Sequence, residues 1–402
     1  MVVIGAGALG LSTALHAALL GRSVVVVERH TAGSQASGRA AGLFKSVQAD
    51  ELRTQLARRS ISKAITFAGW AGVPLDVNRS GSFLIARTAG HQAALRRELR
   101  QSRSWGADLR ETWPGELAEK LSYYRGDDTE LALWCPEDVY IEESASLVAA
   151  YAAACLRHGA ELLEDEPVTA VTLSGGRVTG VRTSRRDITT QVAVDAAGAW
   201  TPQVAQLAGG QVAVAPVRHQ LLITEPSAGV HPADPIARVV DAAVYLRPAR
   251  RGLMVGGFEA DPLPLDPRSQ PATFRTDDVP LDAGVLHKLA GQVAAEVPLA
   301  VSPAVAEHRG GLFTMSPDGR FVAGPLPDVP GLWVASGCNG SGFSSSLALG
   351  EALAGWICGA PGRLDIGALS PARFGPLTED ELVTGGTWQY AHYYDPDAPD
   401  LG

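Results

Sequence analysis

The chain has 402 residues, a formal net charge of -9, and 46% apolar against 19% charged residues; this balance excludes a disordered chain and leaves room for two or three domains. The acidic charge excludes nucleic acid as a partner, which needs a basic stripe, and the Arg-rich stretches 53–59 and 96–110 have acids and apolar residues between their arginines, so they read as solvated helix faces. Cys135, Cys155, Cys338 and Cys358 are too scattered for a disulfide framework or a zinc site, and no apolar run is long enough for a membrane span, so no metal and a cytoplasmic location are expected.

The opening VVIGAGALGLSTALHAALLGRSVVVVERH, residues 2–30, reads as strand, glycine turn, helix and strand. Gly5 permits the tight turn, Gly7 lets the backbone approach a pyrophosphate, and Gly10 lets the helix pack on the sheet. The helix N-terminus then presents unpaired N–H groups to the phosphates. Glu28, at the end of the second strand, stands where a ribose 2'-hydroxyl binds, and an acid there disfavours NADP. This unit alone does not decide between NAD and FAD.

Residues 33–44, GSQASGRAAGLF, are small and flexible and suit a loop under a flat ring. Residues 50–70 read as an amphipathic helix. Short strands around GSFLIA and LALWCPEDVY, with a charged helical stretch at 91–103, mark a second domain. A helix at 144–158 precedes strands joined by a Gly175-Gly176 hairpin turn, and a strand at 192–196 runs into Ala197-Gly198-Ala199-Trp200.

Alternating strands return over 212–259, so the second domain is expected to be an antiparallel sheet built from two separated segments. Tyr245 and Arg247 fall on one face of a strand. Tyr245 suits a pocket wall; Arg247 suits either a carboxylate or a structural ion pair. His219 fits either the pocket or a hydrogen-bonded core position. A strand at 332–335, a turn from Gly337 to Gly342 and an apolar helix repeat the logic of the first unit, with a helix N-terminus that stabilises negative charge on a bound ring. The tail after Gly375 reads as loosely attached, although Trp388, Tyr390, Tyr393 and Tyr394 point to docking.

Four segments occur in the order of one family: the opening unit, AVDAAGAWT, YLRP followed by GLMVGGFE, and FTMSPDGRFVAGPLPDVPGLWVASGCNGSGF. The chain resembles the D-amino-acid oxidase superfamily of FAD enzymes, in its glycine oxidase and sarcosine oxidase branch with the dimethylglycine dehydrogenase relatives. The resemblance implies an α/β plus α+β fold: a discontinuous Rossmann-like FAD-binding domain (1–76, 143–212 and 312–372), a substrate domain on an antiparallel sheet (77–142 and 213–311), and a tail (373–402). It implies that Gly5, Gly7, Gly10, Glu28 and Arg29 hold the ADP part of FAD, with Val168, Ala197, Gly198 and Trp200 along it. Arg39, Ala40, Ala41 and Gly42 would approach the ring, and Gly337, Asn339, Gly340, Ser341, Gly342 and Phe343 would face its pyrimidine end. Tyr245, Arg247, His219 and Met254 would surround the substrate.

Departures from the family pattern shape the expectation. Gly311 stands in place of the flavin-tethering cysteine of monomeric sarcosine oxidases, and Arg39 in place of the tethering histidine of dimethylglycine-type enzymes, so FAD is expected to be non-covalent. Met254 occupies the place of an oxygen-activating lysine, and Ser344 that of a carboxylate-binding lysine, so another cation must hold a substrate carboxylate. The implied reaction oxidises the C–N bond of an amino acid or N-substituted glycine, with hydride passing from the α-carbon to flavin N5, hydrolysis of the imine, and hydrogen peroxide formed from oxygen. The altered clamp points to a non-standard substrate, such as a bulky N-carboxymethyl amine of specialised metabolism. Alternatives are a dehydrogenase using another electron acceptor and a non-catalytic flavin-binding subunit; the oligomeric state stays open.

Overall fold

The computed structural model describes residues 1–113, 115–126 and 130–395. Its first large sheet has six strands in the order Val322–Pro325, Leu332–Ser336, Ala193–Asp195, Val2–Ile4, Val25–Val27 and Glu161–Leu163. All neighbours are parallel except the first pair. The central strands are apolar and buried because helices cover the sheet. Leu11 and Leu15 of helix Ala8–Leu19, Leu147 and Val148 of helix Ser144–Arg157, and Leu347 and Leu353 of helix Gly342–Cys358 join one core with Val3 and Val26.

The second sheet has eight strands, in the order Val305–Met315, Ala215–Thr224, Gly252–Gly257, Val244–Ala249, Ile236–Val239, Ser82–Ala86, Leu131–Cys135 and Arg110–Glu111. One pairing corrects the antiparallel expectation: Ile236–Val239 runs parallel to Ser82–Ala86. These strands come from distant parts of the chain, where no hairpin dictates direction. Alternation places Val244, Leu246, Leu253 and Val255 against Leu286, Leu289 and Ala290 of helix Ala283–Gly291. The opposite face is left for His219, Tyr245, Arg238 and Arg309, which line a crevice. Strand Val305–Met315 is continuous through residues 311 and 312, where the expected boundary between the two regions falls.

Gly175 and Gly176 form the expected hairpin turn, at φ +56° and +78°, between Val168–Ser174 and Arg177–Thr183. The tail is not loosely attached but docks, as its aromatic residues indicated. Helix Glu379–Ala391 starts at a Thr378–Glu381 capping box and buries Tyr390 completely. Among the described residues no helix is long and apolar enough to cross a membrane.

Candidate active site

An elongated crevice is lined from both sheets. At one end lies the first glycine turn. A Cβ on Gly5, at φ +105°, would sit 2.5 Å from the Ala196 carbonyl oxygen, and one on Gly10 would sit 2.0 Å from that of Gly5. Packing inside the turn therefore demands both glycines, and Gly10 does not itself line the crevice. Gly7 is the position open to a ligand: the nearest atom to its Cβ would be Ser37 Oγ, at 3.1 Å. Ser37 Oγ also accepts from Ala8 N at 3.0 Å, in the first turn of the helix. The sequence reading missed Ser37, whose only signal was a hydroxyl in the small-residue loop.

Glu28 Oε2 accepts from Ala6 N at 2.8 Å and Oε1 from His30 N at 2.9 Å. Burial pushes the Glu28 pKa up against these two N–H groups, and each oxygen keeps a lone pair for a hydroxyl. Arg29 donates to Gln203 Oε1 at 3.1 Å and lies 5.3 Å from the Trp200 ring centroid. Val168, Ala197, Gly198 and Trp200 line this end. Further along, Ala40, Ala41 and Gly42 form the wall, and Arg39 ion-pairs with Asp277.

The second glycine turn contributes Gly340, Ser341, Gly342 and Phe343 to the crevice, at the start of helix Gly342–Cys358. Gly337 and Asn339, expected to face the flavin, do not line it. A Cβ on Gly337 would meet Val322 N at 2.8 Å, so packing demands this glycine. Asn339 turns its amide away, accepting from Ser316 N at 2.9 Å and donating to the Gly337 carbonyl at 2.7 Å.

At the far end, His219 Nδ1 shares a 2.7 Å hydrogen bond with Tyr390 Oη, and Nε2 a 2.9 Å bond with Tyr245 Oη. Burial pulls the His219 pKa down to about 3, so the ring is neutral, with one nitrogen donating and the other accepting. Its plane stacks on Phe313 at 4.3 Å. Gly256, across the strand pair from Tyr245, is small for a reason: a Cβ there would sit 2.2 Å from Tyr245 Oη.

Arg247 and Met254, expected beside the substrate, do not line the crevice. Arg247 shares the Tyr245 face but is fully buried, donating to the carbonyls of Ala41 (2.9 Å), Pro248 (2.6 Å) and Glu142 (2.8 Å). Its guanidinium lies 4.7 Å from the Tyr140 ring centroid, so it clamps the loop behind the site. Met254 packs with Leu221, Ile223, Ala249 and Ala41.

The sequence reading missed two cations in the crevice, Lys45 and Arg238. Buried Asp138 positions both: it accepts from Arg238 Nη1 at 2.9 Å, and from Ser46 N at 2.7 Å, next to Lys45. Lys45 Nζ lies 3.4 Å from Glu98 Oε1. Burial pulls its pKa down, but Glu98, with Tyr393 and Tyr394, outweighs burial and holds it above the ordinary value. The available signals were a lone lysine in AAGLFKSV and an arginine inside the apolar strand IARVV.

The family model for FAD dependent oxidoreductase, DAO, matches residues 1–356. The chain belongs to this family. It is 28% identical over 371 residues to human mitochondrial sarcosine dehydrogenase, covering 89% of this chain and 39% of that protein. It is also 28% identical over 390 residues to 4-methylaminobutanoate oxidase (formaldehyde-forming) of Paenarthrobacter nicotinovorans, covering 93% of this chain and 45% of that protein. The chain thus spans less than half the length of these relatives. Glycine oxidase from Geobacillus kaustophilus shares the fold, with a TM-score of 0.80 at 21% identity over 93% of this chain and 98% of that one.

The crevice of this FAD-dependent family member fits its cofactor. Three buried polar atoms on its walls have no protein partner: His30 Nε2, Ser336 Oγ and Arg309 Nη1. Unsatisfied buried groups of this kind are costly unless a ligand meets them. With Gly7 open to a phosphate and Glu28 open to a hydroxyl, the donors and acceptors suit a long polar dinucleotide.

Proposed function

We propose that the chain oxidises the C–N bond of a small carboxylated amine, an amino acid or N-substituted glycine, forming an imine that water hydrolyses. The carrying observation is the pairing of Lys45 and Arg238 with the aromatic wall of His219, Tyr245 and Phe313 in one crevice. Two of the relatives are named for N-methylated amino acids, sarcosine and 4-methylaminobutanoate, which supports the reading. Bound FAD supplies the hydride acceptor for the α-carbon.

The residues' contribution is placement and exclusion of water. Gly7, Ser37 and Glu28 would hold the dinucleotide, and Ala41 and Gly42 would back its ring. Lys45 and Arg238 would anchor the carboxylate. Arg238 commits Nη1 to Asp138 and Ser82, which leaves Nη2 and Nε for a ligand. Neutral His219 spends both nitrogens on tyrosines, so it orients Tyr245 and is not the proton acceptor. The substrate must therefore enter as the neutral amine.

The products would be a carbonyl compound, the shorter amine and, with oxygen as acceptor, hydrogen peroxide. A second reading, electron transfer to a different acceptor, is favoured by the burial of Met254, which leaves no cation at that position. Peroxide yield under air against dye-dependent turnover separates the two. For the site itself, Lys45→Met is expected to raise KM for a carboxylated amine about tenfold or more, with FAD content unchanged. An equal effect on the methyl ester of the same amine would remove Lys45 from the anchor.

A further inference from the structure

We propose that residues 378–395, beyond the span matched by the family model, belong to the substrate site, with Tyr393 and Tyr394 walling its carboxylate end and setting which amine substituent fits. The inference rests on the reading of the crevice given above.

The helix Glu379–Ala391 carries two adjacent glycines, poor helix formers, in its interior. Both are explained by close seating. A Cβ on Gly385 would lie 2.9 Å from Pro317 Cβ, and one on Gly386 would lie 3.1 Å from Ala215 Cβ and 3.2 Å from Met315 Cβ. Gln389 Nε2 donates to the Pro317 carbonyl at 3.1 Å, and buried Tyr390 reaches His219. The helix is therefore fitted to the two strands that carry His219 and Phe313.

The chain then turns into the crevice. Tyr393 stacks on Phe258, with centroids 4.0 Å apart and planes 7° from parallel. Tyr394 stands edge-on to Phe258 at 5.7 Å and to Tyr393 at 4.9 Å. Both tyrosines are half-buried and line the crevice beside Lys45 and Arg238. A substrate held by its carboxylate at those cations would place its substituent against the aromatic faces, so ring size there decides how large a group enters.

The test uses the full chain loaded with FAD and benzoate, a carboxylate with no oxidisable C–N bond, binding being read from the change in flavin absorbance. Tyr393→Ala is expected to weaken benzoate binding by at least about tenfold with FAD content unchanged. Tyr393→Phe, which keeps the stack, should bind like the wild type, as should Val383→Ala on the exposed side of the same helix. Benzoate affinity at the wild-type level in Tyr393→Ala would overturn the proposal while leaving the crevice reading intact. No spectral response in the wild type, together with no amine that reduces its flavin, would overturn both.

Discussion

Replacing Arg247 by methionine separates two roles a strand arginine can have. In the structure its donors meet the carbonyls of Ala41, Pro248 and Glu142 and, at 3.3 Å, Glu142 Oε2. Burial lowers the guanidinium pKa, with Glu142 and Tyr140 opposing, but an arginine starts so far above neutrality that it stays charged. The Glu142 side chain is 40% exposed and re-solvates when its partner is lost, so the ion pair itself contributes little. The three carbonyls matter more, since each acceptor left buried without a partner costs about 1–3 kcal/mol. Allowing for water entry and the apolar burial of methionine, a net loss of about 3–5 kcal/mol is expected, in the range for breaking a buried charge cluster. Urea unfolding followed by circular dichroism measures that loss. FAD retained after gel filtration should fall as well, because Ala41 and Gly42 lose their support. KM values for an amino acid and its methyl ester should shift together. A variant of wild-type stability whose KM rises for the acid alone would instead place Arg247 in the carboxylate clamp.

The two turn glycines should behave differently on substitution by alanine. Gly10→Ala drives a Cβ against the Gly5 carbonyl and should destabilise the apoprotein by several kcal/mol, about 3 or more, in thermal unfolding. Gly7→Ala should fold normally and lose mainly FAD affinity, measured by fluorescence titration. Gly256→Ala should displace the Tyr245 ring and lower turnover more than stability, a ratio read from kcat beside the unfolding midpoint. His219 is neutral in the fold with a pKa of about 3, against about 6.5 unfolded. Its stabilising contribution is therefore complete above pH 6.5 and is lost as pH falls toward 3, at up to about 1.4 kcal/mol per pH unit. His219→Gln should flatten the stability profile across that window by one proton, and an unchanged slope in urea unfolding at pH 7, 6 and 5 would contradict the assignment.

The dinucleotide cradle was legible because its glycines are local: Gly5, Gly7 and Gly10 sit between a strand and a helix whose patterns span neighbouring residues. Glu28 was legible for the same reason, as the end of the next strand. The substrate end was legible only in part: His219 and Tyr245 were named from the strands that carry them, but Lys45 and Arg238 were not, because distant stretches of the chain bring them together. Period-two alternation correctly put Tyr245 and Arg247 on one face. It carried no information on how deep each sits, and Arg247 lies under the Ala41 loop while Tyr245 reaches the crevice. Asn339 was ambiguous in the sequence, because a polar residue in a glycine turn serves equally to face a ligand or to brace the turn, and here Ser316 N donates to its amide oxygen. The tail's prolines and acids pointed to loose attachment and its aromatic residues to docking; Tyr390 is fully buried, against a sheet that sequence spacing cannot place.

The proposed activity needs FAD in the crevice between the sheets and a carboxylated amine that reaches it there. The purified chain, saturated with FAD and freed of excess, should be titrated without oxygen with a panel of N-methylated amino acids and glycine while absorbance near 450 nm, the flavin band, is followed. The expected result is a yellow protein whose absorbance bleaches with at least one member of the panel, and less readily with its methyl ester. A chain that retains no flavin, or a flavin that no carboxylated amine reduces, would contradict it.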